Sequence, residues 1–258
     1  MFLEEFDGPG LDTSVWLPHY LPAWSSRAAT AATYAVADSC LRLWIPPGQG
    51  LWMPGEQDPP LRVSGVQSGN HSGPVGGGVG QQPLPGGSVV REEQPRFEGF
   101  LPRFGELSMR ARMTVSPRSM AAWWMVGFED RPERSAEICV FEVFGDAVEA
   151  GRSAAVGMGL HPFRDPRVTD DFAAVPLPID VAAPHDYAVR WTAEEAVFSV
   201  DGAEVRRCPR PPDYPMQMMV AVFDFPGRST GDDDHLVPEL AVDRLRWIPP
   251  GEVAAPRG

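Results

Sequence analysis

Residues 106–115 alternate polar and apolar side chains, placing Leu107, Met109, Ala111, Met113 and Val115 on one face of an extended segment. Residues 40–45 alternate in the same way and stop at Pro46-Pro47-Gly48. Further strand-like runs occupy 61–68, 137–142, 188–191, 196–200, 216–225 and 240–248, with Gly/Pro-rich turns between them. One short helix is predicted around 26–34 (Ser-Arg-Ala-Ala-Thr-Ala-Ala-Thr-Tyr), weakened by its threonines. No repeat of solenoid or propeller length is visible. Many short strands in one chain predict an all-β fold, a β-sandwich of two stacked antiparallel sheets forming a single domain over residues 1–258. Residues 69–87 (Gly-Asn-His-Ser-Gly-Pro-Val-Gly-Gly-Gly-Val-Gly-Gln-Gln-Pro-Leu-Pro-Gly-Gly) interrupt the pattern as a loop insertion. They lack the Lys-Ser/Thr ending and following helix of a phosphate-binding loop.

The segment Glu137-Ile138-Cys139-Val140-Phe141-Glu142 sets two carboxylates into an otherwise apolar strand, a costly arrangement unless something uses them. A separation of five inverts the side chain, so strict alternation would send Glu137 and Glu142 to opposite faces. One extra residue in a β-bulge returns both to the same face. Their Cα atoms would then be roughly 13 Å apart, close enough for the carboxyls to approach the ~5–5.5 Å that retaining glycosidases use. The bland alternative is a pair of half-buried strand acids neutralised by arginine.

That hexapeptide resembles E-I-D-I-x-E, the signature of glycoside hydrolase family 16, which includes laminarinases, lichenases and agarases. Cys139 stands where the signature has Asp. Gly105–Met113, Ala121-Ala122-Trp123-Trp124-Met125-Val126-Gly127, His185-Asp186-Tyr187-Ala188-Val189-Arg190-Trp191-Thr192, Val200-Asp201-Gly202 and Val242-Asp243-Arg244-Leu245-Arg246 resemble further family segments in family order. So does the opening Phe6-Asp7-Gly8-Pro9, Leu11-Asp12 and Trp16. The resemblance implies a concanavalin-A-like jelly roll with a concave substrate cleft. It implies Glu137 as nucleophile, Glu142 as general acid/base, and Cys139 at an auxiliary position whose family Asp hydrogen-bonds the nucleophile. It puts His161 beside the acid/base, Asn70 where the family carries a sugar-binding Arg, and the 69–87 loop at the cleft border, either as a flexible surface loop or as a lid. Trp123 and Trp124 are substrate-binding candidates, with alternation sending one of them into the core; Trp24, Trp44 and Trp52 are further candidate platforms. Asp243 matches a family Asp that helps hold a structural Ca²⁺; no other cofactor is implied. Asp232-Asp233-Asp234 lacks the spacing of a calcium loop and reads as a solvated acidic turn.

Composition narrows the partners. The net charge is −13, a surface that repels nucleic acid and anionic lipid and is indifferent to a neutral glycan. All 22 basic side chains are Arg. No apolar run approaches the ~20 residues of a membrane span. The Phe2-Leu3-Glu4-Glu5-Phe6 start lacks the features of a signal peptide, and three cysteines form no evident disulfide framework, so a cytoplasmic location is expected. These readings converge on a monomeric retaining endo-β-glycosidase acting on β-1,3- or mixed-linked glucan. The alternative is a catalytically weak or inactive carbohydrate-binding sandwich, suggested by Cys139, Asn70 and Met120, the last standing where the family has Trp.

Overall fold

The structure, a computed structural model, describes residues 1–84, 86–232 and 235–252; Asp233 and Asp234 of the acidic turn lie outside these residues. Two antiparallel sheets dominate. The first runs in the order Ala203–Pro209, Glu195–Val200, His185–Trp191, Gly105–Thr114, Glu239–Ile248, Cys40–Trp44 and Tyr34–Ala37, with Phe2–Glu4 also pairing with Glu239–Ile248. The second runs Val148–Glu149, Ser153–His161, Glu137–Phe144, Ser119–Gly127, Met216–Asp224 and Arg62–Gln67, with Asp171–Leu177 on the free side of Ser153–His161. No helix is long and apolar enough to cross a membrane among the described residues.

The alternating strand read from sequence packs as expected. Leu107, Met109, Ala111 and Met113 are buried between the sheets against Trp123, Met125, Ile138, Val140 and Phe141. Val115 falls just beyond the strand and packs at the edge of that core. The second sheet also carries an apolar outer face, where Ala122, Trp124, Val126, Cys139, Met219, Ala221 and Phe223 meet Leu21, Trp24, Trp52 and Leu61. Strands Ser119–Gly127 and Met216–Asp224 are therefore buried at every position. A strand covered on both faces reads as a continuous apolar run, which is why alternation is lost there.

The helix predicted over 26–34 is a single turn, Arg27–Thr30, capped by the Ser26 hydroxyl accepting from the Ala29 N–H at 3.0 Å. The chain leaves it at Ala31 because Tyr34 already pairs with Leu43 in the first sheet. His185, at the start of its strand, is structural: its ring bridges Asp201 at 2.7 Å and the Asp180 carbonyl at 3.0 Å.

Candidate active site

The acid pair is built by a bulge. Along the Ser119–Gly127 strand, Trp124 faces Cys139 and Trp123 faces Phe141, which leaves Val140 as the extra residue. The neighbour on the other side skips in the same place, with Gly159 opposite Cys139 and Gly157 opposite Glu142. Val140 and Phe141 both point into the inter-sheet core. Glu137, Cys139 and Glu142 consequently share the outer face of the second sheet, and both glutamates line a groove of about 210 Å³ with Tyr20, Met120, Trp124, Phe223 and Phe225. The bulge expected from the odd spacing is present, and it returns both acids to one face.

Cys139 stands between the two acids. Its Sγ lies 3.7 Å from Glu137 Oε2 and within 4.8 Å of a Glu142 carboxylate oxygen. Burial pushes all three groups up. Glu137, 5 % exposed, is raised well above the ordinary glutamate value by desolvation and then by the neighbouring Glu142 charge. Burial also raises the more open Glu142, and the thiol is raised well above its usual value by burial and by both carboxylates. Against this, two neutral donors converge on Glu137: the Cys139 thiol on Oε2 and the Gln82 side-chain amide on Oε1. Both favour its ionised form.

Gln82 brings the glycine-rich loop to the site, as the cleft-border reading has it. The picture of a loose segment needs correction, because the backbone there is tied down repeatedly. Ser72 bridges Gly80, Gly76 N–H donates to the Val90 carbonyl, and Val90 N–H donates to the Gly77 carbonyl. Trp24 Nε1 donates to the Gln81 carbonyl at 2.6 Å. Gly80 is required where the loop crosses the Trp24 indole, since a Cβ there would sit 2.6 Å from the ring. The close approach, and not freedom to move, explains that glycine.

Gln82 also lines a second cavity of about 490 Å³, together with Pro83, Leu84, Glu129, Ser135, Phe163 and Arg164 among others. Glu129 is buried and accepts from the Gln82 N–H at 2.6 Å and from Arg164. Desolvation outweighs both partners and pushes its carboxyl up to about 7.

Several site expectations are redrawn. Trp124 lines the groove, whereas Trp123 is fully buried between the sheets and cannot touch a ligand. Asn70 is 2 % exposed, its side chain held in an amide network with Gln67 and Gln94, so it is not a sugar-binding residue either. Trp24 and Trp52 are buried beneath the covering segments, and Trp44 belongs to the other sheet. His161 does reach the pair: its ring lies within 4.8 Å of Cys139 and Glu142 donor atoms, stacked on Phe172 and held by Asp170 at 2.8 Å. Tyr20, Gln82, Glu129 and Arg164 carried no signal in the sequence, since each arrives from a distant segment.

Asp243 lies in a bulge of strand Glu239–Ile248 beside Glu5, Asp7, Ser39, Arg110 and Arg244. The Arg110 guanidinium stands 3.7 Å from its carboxylate and supplies the positive charge that a calcium ion would otherwise bring. Among the described residues Asp243 belongs to no cluster of three potential metal-ligating side chains. These side chains do not by themselves make a Ca²⁺ site. Added Ca²⁺ is accordingly expected to leave the melting temperature unchanged within a degree or so. A calcium-dependent rise of several degrees in differential scanning calorimetry would contradict this.

Comparison with known proteins agrees with the geometry. The family description "Glycosyl hydrolases family 16" matches residues 99–234. Comparison with curated proteins finds no match. Among solved structures, a GlcNAcα1-4Gal releasing endo-β-galactosidase from Clostridium perfringens is 24 % identical, with a TM-score of 0.81 over 96 % of this chain. This chain spans 61 % of that protein's length. The laminarinase catalytic domain of Thermotoga maritima is 15 % identical with a TM-score of 0.64, covering 96 % of both chains. A laminarinase from a Flavobacterium species is 18 % identical with a TM-score of 0.61, covering 95 % of this chain and 97 % of that one. With more than half of its length matching the family description and its two sheets sharing the jelly-roll fold of these enzymes, the chain belongs to glycosyl hydrolases family 16.

Proposed function

We propose that this protein is a retaining endo-β-glycosidase in which Glu137 is the nucleophile and Glu142 the general acid/base. The observation that carries the reading is the Val140 bulge, which turns both acids onto one groove wall with the Cys139 thiol between them. In the first step Glu137 attacks the anomeric carbon while Glu142 gives its proton to the departing glycosidic oxygen. In the second, Glu142 takes a proton from water, and the resulting hydroxide equivalent releases the sugar from Glu137 with the original anomeric configuration. The thiol of Cys139 and the amide of Gln82 orient Glu137 and favour its charged form. The protein works as a monomer, with no metal cofactor.

The substrate reading that follows from the family signature is a β-1,3- or mixed-linked glucan. A second reading, a β-galactoside chain, is favoured by the TM-score of 0.81 with the endo-β-galactosidase, against 0.64 and 0.61 with the two laminarinases. Incubation with laminarin, lichenan, β-galactan and mucin-type glycans, followed by proton NMR of the first product, tests both readings. A β-anomer released first supports retention. An α-anomer contradicts it, and glycan binding by calorimetry without hydrolysis favours a lectin-like sandwich instead.

Cys139→Asp is expected to raise kcat by one to two decades with little change in melting temperature. Buried between two carboxyls, the new Asp keeps its proton and gives Glu137 a stronger donor than the thiol. A hydrogen bond to a charged group contributes about 1.5–3 kcal/mol, and about 1.4 kcal/mol is tenfold in rate. An unchanged kcat in a stably folded variant would remove the orienting role assigned to position 139.

A further inference from the structure

The residue that departs from the family signature also creates a donor set. Cys139 Sγ, a Glu142 carboxylate oxygen and a ring nitrogen of His161 lie within 4.8 Å of one another, and among the described residues no other three such groups come so close. They sit on paired strands, with Gly159 opposite Cys139 and Gly157 opposite Glu142. Gly157 keeps the space beside Glu142 open, because a Cβ there would meet the Glu142 Cβ at 3.2 Å and the Phe172 ring at 2.5 Å.

The histidine is held as metal-bound imidazoles usually are. Asp170 takes Nδ1 at 2.8 Å, and Phe172 stacks on the ring at 4.6 Å between centroids. A carboxylate behind one nitrogen fixes the tautomer and leaves the other, Nε2, to coordinate. One thiolate, one imidazole and one carboxylate suit Zn²⁺, with water in a fourth, open position. Tetrahedral donors at about 2.0–2.3 Å from zinc stand about 3.3–3.8 Å apart. The three donor atoms, now within 4.8 Å of one another, must draw together by about 1 Å to hold the ion.

We propose that Cys139, Glu142 and His161 form a zinc-binding site that switches the groove off when loaded. Binding displaces the thiol proton and any proton on Glu142 to solvent, and the metal then holds the oxygen that Glu142 needs for proton transfer. The inhibition rests on the hydrolase reading of Glu142; the binding does not.

Titration of the full chain with Co²⁺ should give one site per chain with a thiolate-to-cobalt charge-transfer band in the near ultraviolet, displaced by Zn²⁺. Cys139→Ser should lose the band. His161→Gln should weaken Zn²⁺ by at least tenfold in competition with a chromophoric chelator, and Asp170→Asn by about tenfold through the orientation of the imidazole. Asp170 is exposed, so its variant carries the test even if Cys139→Ser fails to fold. Absence of the charge-transfer band in the wild type, or unchanged Zn²⁺ affinity in both His161→Gln and Asp170→Asn, overturns the site. On a glycan that the wild type cleaves, Zn²⁺ should inhibit at concentrations matching its binding and EDTA should restore the rate; full activity with the site loaded overturns the switch alone.

Discussion

Glu137→Gln is expected to lower kcat by about 10⁴-fold or more, the scale seen when a group central to covalent catalysis is removed. An amide in place of the carboxylate keeps the shape and the Gln82 contact but cannot form the glycosyl ester. Glu142→Gln should lose about 10²–10⁴-fold on a polysaccharide, the usual worth of a positioned proton donor. The two losses separate on an aryl β-glycoside with a dinitrophenolate leaving group, which departs without protonation. There Glu142→Gln should retain a fast first step and accumulate the glycosyl-enzyme, while Glu137→Gln stays inactive. The wild-type rate should fall at alkaline pH as the acid pair gives up its last proton, a step that burial lifts above the ordinary glutamate range. Glu142→Gln should lose that alkaline limb. Equal losses for both variants on both substrates, or a Glu137→Gln kcat within tenfold of wild type, would contradict the assignment.

Deleting Ile138 is expected to prevent folding, whereas deleting Val140 is expected to leave a folded protein. Val140 is the residue by which the Glu137–Phe144 strand outruns both neighbours. Without it Cys139 and Phe141 follow one another as Trp124 and Trp123 do, strict alternation returns, and Glu137 and Glu142 still share a face. That deletion forfeits one apolar side chain from the core, about 1.5–3 kcal/mol. Ile138 alternates in register, so without it one half of the strand must change face: either Glu137 enters the inter-sheet core, or Cys139 and Glu142 enter it and Val140 and Phe141 leave. Burying an unpaired carboxylate costs several kcal/mol, and each large apolar side chain expelled adds a similar loss. Against a total stability of about 5–15 kcal/mol, the sum leaves no margin. An Ile138 deletion that is soluble and melts within a few degrees of wild type, or a Val140 deletion that does not fold, would show that the register is not fixed in this way.

The first sheet was legible because its central strand is apolar on one side only, so Leu107, Met109, Ala111 and Met113 announce themselves at a period of two. The second sheet was recognised mainly through resemblance, since strands buried on both faces give no alternation. Between Trp123 and Trp124 alternation dictates that one is core, yet nothing local says which one. Asn70 misled because a matching position in a motif says nothing of whether the side chain reaches solvent; here Gln67 and Gln94 satisfy it internally.

What the sequence by itself determined is the acid pair and the need for a bulge between its members. Both facts are local to one strand, where an odd spacing and a fixed side-chain period leave a single way to bring two carboxylates together. Tertiary structure alone decided what surrounds them. Gln82 meets Glu137 across a sequence separation of 55, and Arg164 meets Glu129 across one of 35. Tyr20 reaches the groove from the opening segment of the chain. Such contacts have no period to read. Which loop covers an apolar sheet face, and which of its polar groups must then find partners there, is settled only when the whole face is buried.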